Sequence, residues 1–313
     1  MQHFFNGRNS HNTSGMFRRQ LCAAMRSDPR MAQEITAALS LCTNLVSATW
    51  KDDDEAMEAV FMPFLEVLMT LPLKELTVRT MYDVGDRAWT LLSSMTGMRR
   101  LSVWSFKPPR VLQGWAAQLG PTLRHLELGY CLHVPPITLI SVFSQLPLLR
   151  NLRLWGVPST AIPSIMACLP NLIVLDTDYL QYGNYPFPST PLPHLQQLTI
   201  RTSPLPASGS DELWNWTCSL IPHEGSLQSF SLVSFEIEIP LSFITRLIRR
   251  HGAAEPSINP TRHSRTRYSP LLLGLQRARN IRFGRAQMQT ITPQHSLLRR
   301  RPRRTRRDSR RNV

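Results

Sequence analysis

The sequence predicts an α/β fold, a right-handed leucine-rich-repeat solenoid: a horseshoe of about eight irregular repeats between disordered termini. Three observations predict it. A Leu-x-x-Leu-x-Leu spacing recurs in register, helix-compatible segments fall between its copies, and the net charge is confined to one end of the chain.

The spacing is plainest in LRHLELGYC, where Leu123, Leu126 and Leu128 set the pattern and Cys131 closes it. Alternate residues of a strand point to one face, so Leu126 and Leu128 enter one core and Leu123 joins from the preceding turn. Glu127, the outward neighbour, is expected to tolerate replacement. One match means little, because leucine is common. The phase residues, however, are Leu45, Leu73, Met98, Leu123, Leu149, Leu172, Leu195 and Leu227, separated by 28, 25, 25, 26, 23, 23 and 32 residues. These steps lie in or near the roughly 20–29 residues of such repeats. Three residues on come Ala48, Leu76, Leu101, Leu126, Leu152, Leu175, Leu198 and Phe230; two further on come Trp50, Val78, Val103, Leu128, Leu154, Thr177, Ile200 and Leu232.

Residues 1–15 are polar and expected to be disordered. Residues 16–40 read as a helical N-terminal cap: Phe17, Leu21 and Met25 share a face, Asp28-Pro29 breaks the run, and Met31 to Leu39 resumes helical spacing. Residues 41–251 are the repeat domain. Its first inter-strand helix follows Met57, Val60, Phe61, Phe64, Leu65 and Leu68, opened by acidic residues and interrupted by Pro63. Shorter apolar faces follow at Trp89, Leu92 and Met95; at Leu112, Trp115, Ala116 and Leu119; and at Ile137, Ile140 and Phe143. Others fall at Ile162, Ile165, Met166 and Leu169, then at Leu213, Trp216 and Leu220. Gln181 to Pro193 holds too many prolines for a helix. The last helix buries Leu241, Ile244, Leu247 and Ile248, and no strand is expected after it.

Charge divides the chain. Residues 252–313 hold 16 Arg and two acids, or +14 of the total +15, whereas residues 1–251 carry 20 basic and 19 acidic side chains. The tail is therefore expected to be a disordered, Arg-rich segment that can meet nucleic acid. Five widely spaced cysteines with no C-x-x-C pair suggest neither a disulfide framework nor zinc. The N-terminus lacks the apolar core of a signal peptide, and no run reaches a membrane span. A cytoplasmic or nuclear chain fits these features.

The segment from the cap into the first repeat, FRRQLCAAMRSDPRMAQEI then CTNLVSATW, resembles the fungal F-box and leucine-rich-repeat proteins. Phe17, Leu21, Asp28-Pro29, Cys42, Asn44-Leu45 and Trp50 carry the likeness, with LPLLRNLRL and LPNLIVLDT later, so it covers about residues 16–251. The resemblance implies a partner-binding horseshoe that serves as the substrate-recognition part of a ubiquitin-ligase adaptor. It also implies an F-box of about 45 residues, for which this sequence has no room upstream of Phe17. A ubiquitin-ligase core is thus expected as a partner only where an F-box is supplied elsewhere.

Positions opposite the core line the concave face: Arg100, Ser102 and Trp104; His125, Glu127 and Gly129; Asn151, Arg153 and Trp155; Val174, Asp176 and Asp178. Trp and Arg are enriched at binding hot spots. Arg100, Trp104, His125, Glu127, Arg153, Trp155, Asp176 and Asp178 are therefore the expected partner-binding residues. His125 with Glu127, or Asp176 with Asp178, can be drawn as acid–base pairs. No nucleophile, Gly-rich phosphate loop or metal-ligand motif completes them, so no catalytic residue, cofactor or metal is expected. The function expected is a non-catalytic scaffold for a protein partner, and the alternative is nucleic-acid association through the tail.

Overall fold

A computed structural model of the chain describes residues 28–52, 58–80, 82–105, 111–112, 114–180, 194–202, 210–221, 227–234, 239–251 and 280–285. Nine strands make one sheet: β1 (Ser47–Asp52), β2 (Glu75–Thr80), β3 (Arg100–Ser105), β4 (His125–Gly129) and β5 (Asn151–Leu154), then β6 (Val174–Tyr179), β7 (Gln197–Thr202), β8 (Ser229–Ser234) and β9 (Asn280–Arg285). Every pairing is parallel, and spatial order follows chain order. Helix α1 (Pro29–Ser40) precedes the sheet. Between strands run α2 (Glu58–Leu68), α3 (Asp86–Ser94), α4 (Ala116–Leu119), α5 (Pro136–Phe143) and α6 (Ile162–Ala167). Helices α7 (Ser210–Leu220) and α8 (Leu241–His251) complete the series. Residues 181–193, expected to be non-helical, lie outside the described residues, as do the 1–15 segment, Phe17, Leu21, Met25 and Met57.

The α/β class stands, but the horseshoe solenoid is corrected to a single open, all-parallel sheet alternating with helices. The leucine spacing reports strand alternation and the residue that enters each strand, and any parallel sheet buried on one face satisfies it. It carries no information about curvature. What lies between the strands does not repeat either, since the helices range from four residues in α4 to 11 in α2, α7 and α8. The expected stop after α8 is corrected too. Strand β9 lies within the 252–313 segment and pairs Ile281 with Phe230 and Phe283 with Leu232.

Register is the part the leucines do specify. Ala48, Leu76, Leu101, Leu126, Leu152, Leu175, Leu198 and Phe230 lie side by side across eight strands, all buried. Burial of each such leucine stabilises the fold by about 1.5–3 kcal/mol. Along β2 and β6 buried and half-buried residues alternate, so the described helices cover only one face. The opposite, open face carries no described helix; its outward residues are half-buried on β2 and β6, while Ser102 and Trp104 on β3 are buried.

Helix faces follow the expected apolar periods with two exceptions. Ile137 and Leu241, expected inside, are 71% and 60% exposed, and Leu139 and Phe243 take the core positions instead. Each exposed residue sits in the first turn of its helix. Ile248 contributes to α8, but its side chain lies outside the described set. Asp28 and Pro29, expected as a break, open α1: the Asp28 carboxylate accepts from Arg30 N–H at 2.9 Å, and Pro29 occupies the first turn. The two most deeply buried indoles are satisfied, with Trp115 Nε1 donating to Met95 O and Trp216 Nε1 to Ser159 O, both at 2.8 Å.

Candidate binding surface

Two rows of the open face carry the chemistry. The register sets Thr49, Thr77, Ser102, Glu127, Arg153, Asp176 and Thr199 in one line. Two residues further along the strands come Lys51, Arg79, Trp104 and Gly129, and on the other side Asp178 with Arg201. Adjacent strands lie about 4.8 Å apart, so long side chains reach across one or two neighbours.

They build a ladder of alternating charge. Arg79 Nη2 donates to Glu127 Oε1 at 2.9 Å, and Arg153 Nη1 lies 3.1 Å from the same oxygen. Arg153 Nε faces Asp176 Oδ2 at 3.2 Å, and Arg201 clasps both oxygens of Asp176. Arg79, Glu127, Arg153, Asp176 and Arg201 thus tie β2, β4, β5, β6 and β7 together.

Aromatic rings form its base. Trp104 and Trp155 meet with centroids 4.7 Å apart, although strand β4 separates their backbones. Gly129 makes this possible. A Cβ there would fall 2.2 Å from the Trp104 ring, so only glycine lets the indole lie across β4. Tyr130 meets Trp104 edge-on at 5.8 Å, and its φ of 57° turns the chain out of the sheet at that point. Trp104 Nε1 donates to Glu127 Oε1 at 3.1 Å. Guanidiniums cover the rings: Arg79 over Trp104 at 4.8 Å, and Arg201 and Arg153 over Trp155 at 5.1 and 5.6 Å.

Asp178 sits at the edge of this cluster and accepts from Gly156 N–H at 3.0 Å. Burial pushes its carboxyl up to about 6, against the pull of that N–H and of Arg201. Burial likewise raises Asp176, although Arg201 and Arg153 oppose it. His125 faces Asn151 Nδ2 at 3.3 Å, and burial, helped by the Arg100 charge, lowers its pKa. Cys131 is buried, which raises its thiol to about 12 and keeps it protonated.

Of the expected binding residues, the fold brings Trp104, Glu127, Arg153, Trp155 and Asp176 into contact and holds Asp178 beside them. Arg100 and His125 lie one row away, and Arg100 pairs with Glu75 at 3.8 Å. Trp104 is not a protruding anchor: it is 8% exposed, seated under Arg79 and against Gly129. Sequence reasoning missed Arg79 and Arg201, which complete the ladder at both ends. Each stands six residues after its phase leucine, as Trp104, Trp155 and Asp178 stand after theirs, so carrying the rows into the flanking repeats finds both. No group of three or more metal-ligating side chains occurs among the described residues. No helix among them is long and apolar enough to cross a membrane. No family model matches the sequence, and no curated protein matches it.

Proposed function

We propose that the protein is a non-catalytic scaffold that takes a protein partner on the open face of its sheet. The observation that carries this reading is the Trp–Arg cluster over Gly129, since Trp and Arg are the residue types that dominate binding energy at interfaces. The side chains available for acid–base work are engaged elsewhere. Asp176 is clasped by Arg201, Asp178 by the Gly156 amide, and His125 faces an amide rather than a carboxylate. The resemblance to F-box proteins extends the proposal: where another chain supplies an F-box, the partner would be a ubiquitin-ligase substrate, in the cytoplasm or nucleus.

Site-specific photocrosslinking tests it. A photoreactive residue at Thr77 or Thr199, on the open face, is expected to capture a protein that the same residue at Gln118, on the exposed side of α4, does not. Trp155→Ala should abolish that capture. Equal capture from Gln118 would move the interface to the helical layer.

A second reading, association with nucleic acid, rests on the +14 of residues 252–313. Binding through that segment should fall steeply as salt rises. It should also be indifferent to Trp155→Ala.

A further inference from the structure

We propose that the open face recognises an acidic, extended segment of its partner, laid across Arg79, Arg153 and Arg201. This inference rests on the scaffold reading and names the chemistry of the ligand at that same site.

The first argument is charge. The ladder runs Arg79, Glu127, Arg153, Asp176, Arg201, so arginine stands at both ends and three guanidiniums share two carboxylates. Asp178, the nearest further acid, is turned to the Gly156 amide. The second is unmatched donors. Arg79 Nε, Trp155 Nε1 and Ser102 Oγ are buried with no hydrogen-bond partner, and Arg153 Nε faces Asp176 without hydrogen-bond alignment. Ser102 itself is only 5% exposed. No carboxylate oxygen among the described residues is buried and unmatched in this way. Three donors also crowd one oxygen of Glu127. The face has more donors than acceptors, and a carboxylate supplies acceptors only. The third is access. Arg79 and Arg153 side chains are 39% and 36% exposed, so both can turn to an incoming group without leaving the sheet.

Geometry fixes the spacing. Arg79 and Arg153 stand three strands apart and Arg153 and Arg201 two apart, roughly 14 and 10 Å across the sheet. Arg153 also lies two residues along the strands from the row of Arg79 and Arg201, which lengthens the two spans to roughly 16 and 12 Å. An extended chain advances about 3.3 Å per residue and turns alternate side chains to one face, so acids at positions 1, 5 and 9 of a crossing segment would face the sheet together and meet the three arginines in turn. A nucleic-acid strand fits less well. It carries a phosphate at every nucleotide, so its charges would also meet Glu127, Asp176 and Asp178.

The test measures binding of two labelled peptides to the full chain at physiological salt. One carries Asp at positions 1, 5 and 9 in a Gly/Ser background. Its isomer carries the same three Asp in a row. The Arg-rich 252–313 segment attracts both peptides, so the wild-type ratio is read against that of Arg79→Gln, which leaves the segment unchanged. The spaced peptide is expected to bind about tenfold tighter, the scale of one charge-assisted contact. The preference should vanish in Arg79→Gln and in Arg153→Gln. Arg79 ends the ladder and its loss leaves the Arg153–Glu127 and Arg201–Asp176 pairs intact, so that variant stays informative if Arg153→Gln fails to fold. Equal binding of the isomers to wild type overturns the proposal, as does a preference that survives Arg79→Gln. A single-stranded oligonucleotide that displaces the spaced peptide from a folded chain, and loses that ability in Arg79→Gln, overturns it in favour of phosphate. If Thr77 and Thr199 still crosslink a partner while the isomers bind equally, the scaffold stands and only the acidic ligand falls.

Discussion

At the scale of single residues, the outward side chains do more than the alternation of leucines suggests. Leu126 is fully buried, and Leu126→Asp should unfold the chain, because it strands a charge in the shared core. The sequence makes Glu127 look replaceable. The structure makes it the acceptor for Arg79, Arg153 and Trp104, so Glu127→Ala should cost about 1–3 kcal/mol in chemical denaturation. Asp178 gives the opposite sign. Burial lifts its carboxyl from the ordinary 3.8 to about 6, so the folded chain holds that proton more tightly than the unfolded one. Its contribution to stability is therefore full below about pH 4 and lost as pH rises through about 6. Asp178→Asn keeps an acceptor for Gly156 N–H; the variant should be more stable than wild type at pH 7, by up to about 3 kcal/mol, and equal to it near pH 4. His125 opposes this trend in the same range. Its lowered pKa makes stability rise with pH, so the two are separated by comparing variants at each pH.

At the scale of elements, the buried faces were legible wherever apolar spacing ran through a whole helix. Leu92, Leu119, Ile165 and Leu220 are buried as their spacing requires. The two departures are Ile137 and Leu241, in the first turns of α5 and α8. Ile137 tests this: Ile137→Lys should change stability by no more than about 0.5 kcal/mol. Leu139→Ala, two residues on and fully buried, should cost about 2–5 kcal/mol. Thermal unfolding of the pair distinguishes the observed face of α5 from the expected one. The ends of the binding ladder were equally legible, since Arg79 and Arg201 occupy the same place in their strands as Trp104. What spacing could not show is that Gly129 opens room for one indole to meet another.

At the scale of the whole molecule, register was readable and shape was not. Leucine phases align eight strands without error, yet the same phases suit any one-sided parallel sheet. The ninth strand was hidden by composition. NIRFGR sits amid arginine-rich sequence, and its two apolar residues are too few to stand out from a charged background. Its presence changes what truncation should do. Cutting after Gly252 removes β9 and leaves the edge of β8 unpaired, so the melting temperature should fall. Cutting after Arg285 retains β9 and should leave it nearly unchanged, while heparin retention weakens with the nine arginines that follow.

Strand order that follows chain order has a kinetic consequence. Each strand pairs with the one just before it in sequence, so loop closure never spans more than a few tens of residues until β9. A chain emerging from the ribosome can add strands one at a time onto an already formed edge, with no wait for its C-terminus. The Arg79–Arg201 ladder is the exception. Its five side chains close only when β7 has been added, so the binding face is completed late, after most of the core behind it is in place.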